Sequence, residues 1–304
     1  METLQKEEND PTAGLVETHG ACIVLHGSFA YKVKKPVNLG FLDFSTLEKR
    51  GFTCFEEVRL NARLTNIYHG VVIIFKEGEL WRACDAGDIG DRKPYEYAVK
   101  MDRIDPSLEM HRMLAEGKVS MNHVRQLAWQ LADFHKRVDI AEQKPGATDL
   151  SKDFDDILSV KPILKNILGE RLAEKLDQMV AAAGQLLDYA AVRIPERNRQ
   201  GWVRDVHGDV HAGNIFLTDP PIIFDCIEFN RHFREVDVLN EIAFLCMDLE
   251  RFGYPDLSAC FLKAYLKEID ALSTREDSAL FLFYKLYRLN IRIKVKTIQA
   301  GQHI

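Results

Sequence analysis

The pattern of apolar positions changes character along the chain. From Leu15 to about residue 101 the apolar residues fall in short runs separated by polar turns, the spacing of strands. Cys22-Ile23-Val24-Leu25, a turn at His26-Gly27-Ser28, and Phe29 to Pro36 predict a hairpin. Gly70 to Phe75 and Leu80 to Ala83 predict two more strands, and Glu96 to Met101 a last one. One helix interrupts this region. Ser45-x-x-Glu48 is a capping-box start, and Leu47, Gly51, Phe55, Val58 and Ala62 recur at helical spacing, which predicts a helix over about 46–65. Past Asp105-Pro106 the helical period takes over. Ser120 caps a helix whose Val124, Leu127, Ala128, Leu131, Phe134 and Val138 form one stripe, and His135 beside it reads as a hydrogen-bonded core histidine. A mixed helical region follows over about 151–169, broken near Pro162, then an amphipathic helix from Leu172 to Leu187. Pro195 to Gln200 reads as a polar loop, Val236 to Arg251 as a helix ended by Gly253, and Ser278 to about Ala300 as a final helix. Residues 1–13 read as a flexible tail.

Composition narrows the class. With 304 residues and 46% apolar content the chain folds around one large or two modest cores. A net charge of -6, with no long basic block, argues against a nucleic-acid partner. No run reaches the ~18 apolar residues of a membrane span, and the start is polar and acidic, so a cytoplasmic location is expected. The six cysteines are widely spaced without a C-x-x-C pair and read as small core residues.

The informative stretch is His207-Gly208-Asp209-Val210-His211-Ala212-Gly213-Asn214, a polar loop between the short apolar runs Trp202-Val203 and Ile215-Phe216-Leu217. A turn at Thr218 to Pro221 and the run Ile222-Ile223-Phe224 then lead to Asp225. Phosphoryl transfer needs a carboxylate near the attacking hydroxyl and two oxygen-bearing groups to hold Mg²⁺ over the phosphates. Asp209, Asn214 and Asp225 supply them. In the protein-kinase loop H-R-D-x-x-x-x-N the asparagine follows the aspartate by five residues, and a second metal-binding aspartate follows a hairpin later. The step from Asp209 to Asn214 is the same. Upstream, Ala30-Tyr31-Lys32 fits the A-x-K of the kinase nucleotide strand, with Ala30, Lys32 and Lys34 on one face. The plain alternative for Lys32 is a solvated basic edge strand. Glu56 and Glu57, on the helix that follows, both qualify as the glutamate that aims such a lysine.

The motif H-G-D-x-H-x-G-N followed by a buried aspartate resembles the aminoglycoside phosphotransferase family of the protein-kinase-like superfamily, in particular the bacterial branch whose members often carry a second, P-loop kinase-like domain. The resemblance runs from about Val16 to the last helix. It implies an α+β, two-lobed protein-kinase-like fold, with a small antiparallel-sheet N-lobe over 14–102 and a mainly helical C-lobe over 103–304. It further implies ATP, with GTP as the alternative, and Mg²⁺, and transfer of the γ-phosphoryl group to a hydroxyl of a small molecule such as an aminoglycoside or another amino sugar. By resemblance Asp209 is the catalytic base, Asn214 and Asp225 hold Mg²⁺, and Lys32 holds the α/β-phosphates. The family spacing of glutamate and two apolar residues fits Glu57, Leu60 and Leu64, which favours Glu57 over Glu56. Met101 marks the hinge whose backbone meets the adenine. His207 braces the loop, Asp237 matches a bracing position, and His211 and Glu228 are supporting residues. Asp225, Glu228, Glu235, Asp237 and Glu241 suggest an acidic wall suited to a cationic acceptor, although a helix start explains Glu235 and Asp237 equally well.

Two features depart from the pattern. No G-x-G-x-x-G phosphate loop is present, and Thr18-His19-Gly20-Ala21-Cys22 stands where relatives often carry a serine after Thr-His. No G-x-x-x-x-G-K-[ST] occurs, so a standalone form and a truncated one both stay open. Two rival readings remain: a catalytically silent kinase fold serving as a binding or regulatory module, and a binuclear metallophosphoesterase, suggested by Asp209-Val210-His211 and Gly87-Asp88-Ile89-Gly90-Asp91-Arg92 but with these elements in reversed order.

Overall fold

The computed structural model describes residues 2–3, 14–18, 20–40, 42–142 and 144–301. In chain order the first elements are β1 (Glu2–Thr3), β2 (Gly14–Glu17), β3 (Ala21–His26), β4 (Phe29–Lys34), α1 (Leu47–Asn61), β5 (Tyr68–Glu77), β6 (Leu80–Asp85) and β7 (Glu96–Asp102). Then come α2 (Met110–Ala115), α3 (Met121–Arg137), α4 (Ala147–Asp155), α5 (Lys161–Leu168), α6 (Glu170–Ala190), α7 (Ile194–Gln200), β8 (Val203–Asp205), β9 (Ile215–Phe216), β10 (Ile222–Ile223), β11 (Glu235–Asp237), α8 (Val238–Arg251), α9 (Pro255–Glu268) and α10 (Arg275–Gly301). They form two compact units, Met1–Glu109 with Asn214–Arg231, and Met110–Gly213 with His232–Ile304. No helix among the described residues is long and apolar enough to cross a membrane.

The first unit is an antiparallel seven-stranded sheet in the order β1-β6-β5-β7-β4-β3-β2. Strand alternation divides its side chains. Ala30, Val71, Val99 and Met101 pack with Cys54, Ile67 and Tyr68 on the face that α1 covers, while Tyr31, Val72 and Ala98 cluster separately. Gly51 lets α1 settle on β7, because a Cβ there would lie 2.8 Å from the Tyr97 ring. The helix starts one residue later than the capping-box reading places it. The Ser45 hydroxyl is bonded to Asp43 at 2.6 Å, and Thr46 accepts from the Lys49 amide at 3.3 Å as the cap. It also ends at Asn61 rather than near 65. Of the predicted tail, Glu2–Thr3 pair with Ala83 and Arg82 at the sheet's edge, and residues 4–13 lie outside the described residues, as does His19. The hairpin of β9 and β10 belongs to this same unit.

The second unit is helical, with one short strand pair, β8 with β11. α8 is its axis. Every residue from Val238 to Leu249 is buried, as expected of a helix that is apolar nearly all round. α8 packs against α9 and α10, while α3 packs against α9 and α6 against α10. Two elements differ from the sequence reading. The predicted polar loop Pro195 to Gln200 is α7, with proline in its first turn and left-handed Gly201 closing it, the proline-in, glycine-out signature of a short helix. α9 lies in a stretch the reading leaves unassigned. Its Leu257, Phe261, Ala264 and Tyr265 are buried at helical spacing behind Pro255.

Candidate active site

Within the first unit the structure gathers five charged side chains. β4 projects Lys32 and Lys34 from one face, and α1 delivers Glu57 between them. Lys32 Nζ donates to Glu57 Oε1 at 2.8 Å, and Lys34 Nζ donates to Glu57 Oε2 at 2.7 Å. Lys32 also pairs with Asp225, and Lys34 with Glu228 at 2.5 Å. β4 lies between β3 and β7, so Lys32 does not guard a sheet edge. Glu57 is fully buried, whereas Glu56 pairs with Arg59 on the exposed side of the helix. Burial opposes charge on Lys32, Lys34, Glu57 and Glu228, and pairing outweighs it for the first three. Lys32 and Lys34 are held above the ordinary lysine range by the facing carboxylates, and Glu57 is pulled down to about 2 by the two lysines. Glu228 moves upward, because burial and the neighbouring Glu57 exceed the help from Lys34. Three carboxylates thus face two ammonium groups.

The backbone fixes Asp225 in an unusual pose. Its φ is 64°, a conformation that non-glycine residues seldom adopt. The Asp225 amide donates to the Tyr68 hydroxyl at 3.1 Å and the Cys226 amide to Asn61 Oδ1 at 3.0 Å, so β5 and α1 hold successive peptides. Phe224 donates to the Asn214 carbonyl at 3.1 Å across the hairpin of β9 and β10, which ties Asn214 to the residue before Asp225. Met101 lies inside β7, opposite Ala30 on one side and Tyr68 on the other, with its side chain in the core.

Within the second unit the loop from His207 to Gly213 is held by its main chain. The Gly208 amide donates to Glu241 Oε1 at 2.6 Å, and the Gly208 carbonyl accepts from Arg288 at 2.8 Å. Seven residues further along α8 and hence on the same side, Asp248 accepts from the Ala212 amide at 3.0 Å. Glu241 is in turn fixed by His135 Nε2 at 2.6 Å, and the other nitrogen of His135 meets the Tyr265 hydroxyl at 2.7 Å. Buried His207 accepts from the Asp209 amide at 3.2 Å. His211 Nδ1 accepts from the Gly213 amide at 2.9 Å, which leaves Nε2 to face Asp209 Oδ2 at 3.4 Å. Burial works against the charged form of Asp209, but the His211 ring outweighs it, with help from His207 and Arg288, and the carboxyl is pulled down to about 2. Asp209 is therefore ionised at neutral pH. Asp237 caps α8 through the Leu239 amide and takes a bidentate pair from Arg197 at 2.6 and 2.8 Å, so the direct grip on the loop comes one turn later, from Glu241.

The acidic wall expected from the sequence does not form. Glu235, Asp237 and Glu241 are buried, and Glu228 is taken up by Lys34. Those acids hold structure rather than face a solute. Sequence reasoning also missed Lys34, Glu241, Asp248 and Arg288. Their signal was charge where the period places the core, most plainly Glu241 and Asp248 in the largely apolar stretch Val238–Leu249 of α8. Gly208 illustrates how tight the loop is. Its φ is 88°, and a Cβ there would stand 2.7 Å from the Phe233 carbonyl oxygen. Gly208→Ala is expected to destabilise the protein by about 1–3 kcal/mol, read as a lower midpoint in urea at unchanged slope; an unchanged midpoint would show that the 233–234 backbone yields freely.

A lysine-bearing sheet crossed by a helix that offers it a glutamate, joined to a helical unit carrying a gripped polar loop, is the α+β protein-kinase-like fold that the motif predicts. The comparisons agree. A glucosamine kinase in complex with glucosamine, ADP and inorganic phosphate matches with a TM-score of 0.53 at 15% identity, over 96% of this chain and 78% of the other. A choline kinase from Cryptosporidium parvum Iowa II matches at 0.54 and 13%, over 97% and 85%. A thermostable mutant of an aminoglycoside phosphotransferase matches at 0.50 and 12%, over 96% and 89%. At such identities the likeness is one of fold. No family model matches the chain. In sequence it is 28% identical over 302 residues to uncharacterized proteins of Mycobacterium tuberculosis and Mycobacterium bovis, covering 97% of this chain and 56% of theirs. The chain thus spans about half the length of the curated relatives it matches.

Proposed function

We propose that the protein is a Mg²⁺-dependent phosphotransferase that moves the γ-phosphoryl group of ATP, or of GTP, to a hydroxyl of a small amino-sugar-like or amino-alcohol molecule. The observation that carries this reading is the trio in the first unit: Lys32 bonded to buried Glu57 at 2.8 Å and paired with Asp225. A lysine with its own buried counter-ion and a second, half-exposed carboxylate is arranged to meet phosphate and metal together. The acceptor class is taken from the fold neighbours, whose names include glucosamine and choline kinases.

The donor set suits Mg²⁺. Among the described residues no group of three or more His, Cys, Asp or Glu could hold a metal ion, but Mg²⁺ is commonly bound by one or two protein oxygens with the remainder from phosphate and water. Asp225 and Asn214 are hard oxygen donors tied together through the β9–β10 hairpin. They would hold the ion, which supplies neutralisation of phosphate charge. Lys32 binds the α/β-phosphates and Glu57 sets its direction. Met101 and Ala30, paired across β4 and β7, mark the adenine end of the sheet. Asp209 orients the acceptor hydroxyl and takes its proton as the acceptor oxygen bonds to phosphorus and the bond to the leaving diphosphate breaks. A carboxylate held near 2 is a weak base, which suits a loose transition state in which positioning does most of the work. His211 holds that carboxylate, and His207, Glu241 and Arg288 hold the peptides on either side of Gly208.

The test is thermal unfolding with and without Mg·ATP and Mg·GTP. Nucleotide at about 100 times its Kd is expected to stabilise the wild type by ~2.7 kcal/mol, a rise of several degrees. Asp225→Ala, confirmed folded by circular dichroism, is expected to lose that rise. Absence of a shift with either nucleotide in folded wild type would overturn the reading in favour of a silent binding module.

A further inference from the structure

The ion-pair cluster of the first unit contains one lysine more than the reading above uses. Lys32 and Lys34 lie two apart on β4 and share Glu57, one carboxylate oxygen each. Each then reaches a second acid on the segment after β10, Lys32 to Asp225 and Lys34 to Glu228. The two rungs differ in access. Asp225 and Lys32 have side chains 41% and 15% exposed, whereas Glu228 and Lys34 stand at 6% and 1%. One rung is open and the other closed.

We propose that Lys34 is a positioning residue: its charge, paired with Glu228, keeps Glu57 and the 225–228 segment in place while Lys32 and Asp225 engage the nucleotide. The inference rests on reading Lys32 as the phosphate-binding lysine. An ammonium has three donors, and Lys32 already spends two of them on Glu57 and Asp225. The third donor is left for phosphate, and where Asp225 turns to the metal ion it gives up its pair with Lys32, one of the two ion pairs between the 225–228 segment and β4. The closed rung survives the exchange. Lys34 keeps the segment on β4 through Glu228 and keeps Glu57 through its second oxygen, so Lys32 turns without carrying Glu57 with it. Stability alone gives little reason for such a rung, since a buried ion pair is often matched or bettered by apolar residues of similar volume.

The experiment measures Mg·ATP affinity by calorimetry in wild type, in Lys34→Met/Glu228→Gln, which removes the closed rung's ion pair, and in Lys34→Arg, which keeps it. The unfolding midpoint without nucleotide is followed in each. The expected result is a folded double variant whose Kd for Mg·ATP is about tenfold or more weaker, with Lys34→Arg recovering most of that loss. A folded double variant with wild-type Kd overturns the proposal. So does an equal loss in folded Lys34→Arg, which would make packing rather than charge the cause. Wild type that binds no Mg·ATP brings down the functional reading itself, a result distinct from either of these.

Discussion

Asp209→Asn is expected to leave Mg·ATP affinity unchanged and to lower phosphoryl transfer by about two to four orders of magnitude, the usual worth of a positioned base. Asparagine fills the same volume and keeps the main-chain bonds on either side, because the grips on Gly208 and Ala212 come from Glu241, Arg288 and Asp248 and do not involve the Asp209 side chain. What disappears is the negative charge that faces His211 and the oxygen able to accept a proton. Transfer to glucosamine, choline or an aminoglycoside, whichever proceeds fastest with wild type, provides the assay, and calorimetry provides the affinity. Turnover at the wild-type rate would remove Asp209 from the mechanism, and a large loss of nucleotide affinity would recast it as part of the nucleotide site.

The second large effect is on stability. Glu57→Gln is expected to destabilise the protein by about 3–5 kcal/mol, because it leaves two buried lysines without their shared counter-ion, and to lower the thermal midpoint on the order of 10 °C. The substitution keeps size and shape, so packing cannot account for the loss. The pH dependence has a defined sign. Glu57 has a proton affinity in the fold below its ordinary value of 4.5, so its contribution is complete above that value and fades as pH falls toward about 2. Urea midpoints measured from pH 6 down to pH 3 should therefore fall more steeply in wild type than in Glu57→Gln. Parallel curves would mean that the two lysines find other partners and that Glu57 carries little of the fold.

How far the sequence reached can be judged from these same residues. The place of Lys32 was legible because Ala30-Tyr31-Lys32 fits the kinase nucleotide strand between marked turns, and that of Glu57 because the family spacing to Leu60 and Leu64 favours it over Glu56. Strands β3 to β7 follow from short apolar runs between turn residues, and the helices α3, α6 and α8 from their period, whereas β1 fell in the stretch read as a tail. Lys34 was placed on the right face yet passed over, since nothing local says that a second lysine two residues along will be buried rather than solvated. Glu241 was assigned to a solvent-facing wall for a related reason: whether a charged residue in an apolar helix faces water depends on which elements cover α8, and α9 and α10 come later in the chain. Arg197 hid in a polar stretch that read as loop. Its guanidinium closes on Asp237 and Asp277 from elsewhere in the sequence, and pairing of that kind leaves no periodic trace.

The grip on the polar loop has a consequence for how such a chain can diverge. Glu241, Asp248 and Arg288 hold peptide groups, which every residue possesses, so these three grips do not depend on which side chains stand at Gly208 and Ala212. A loop anchored through its amides and carbonyls keeps its backbone as its sequence changes, and a fold of this kind is found in solved structures only 12–15% identical to the chain.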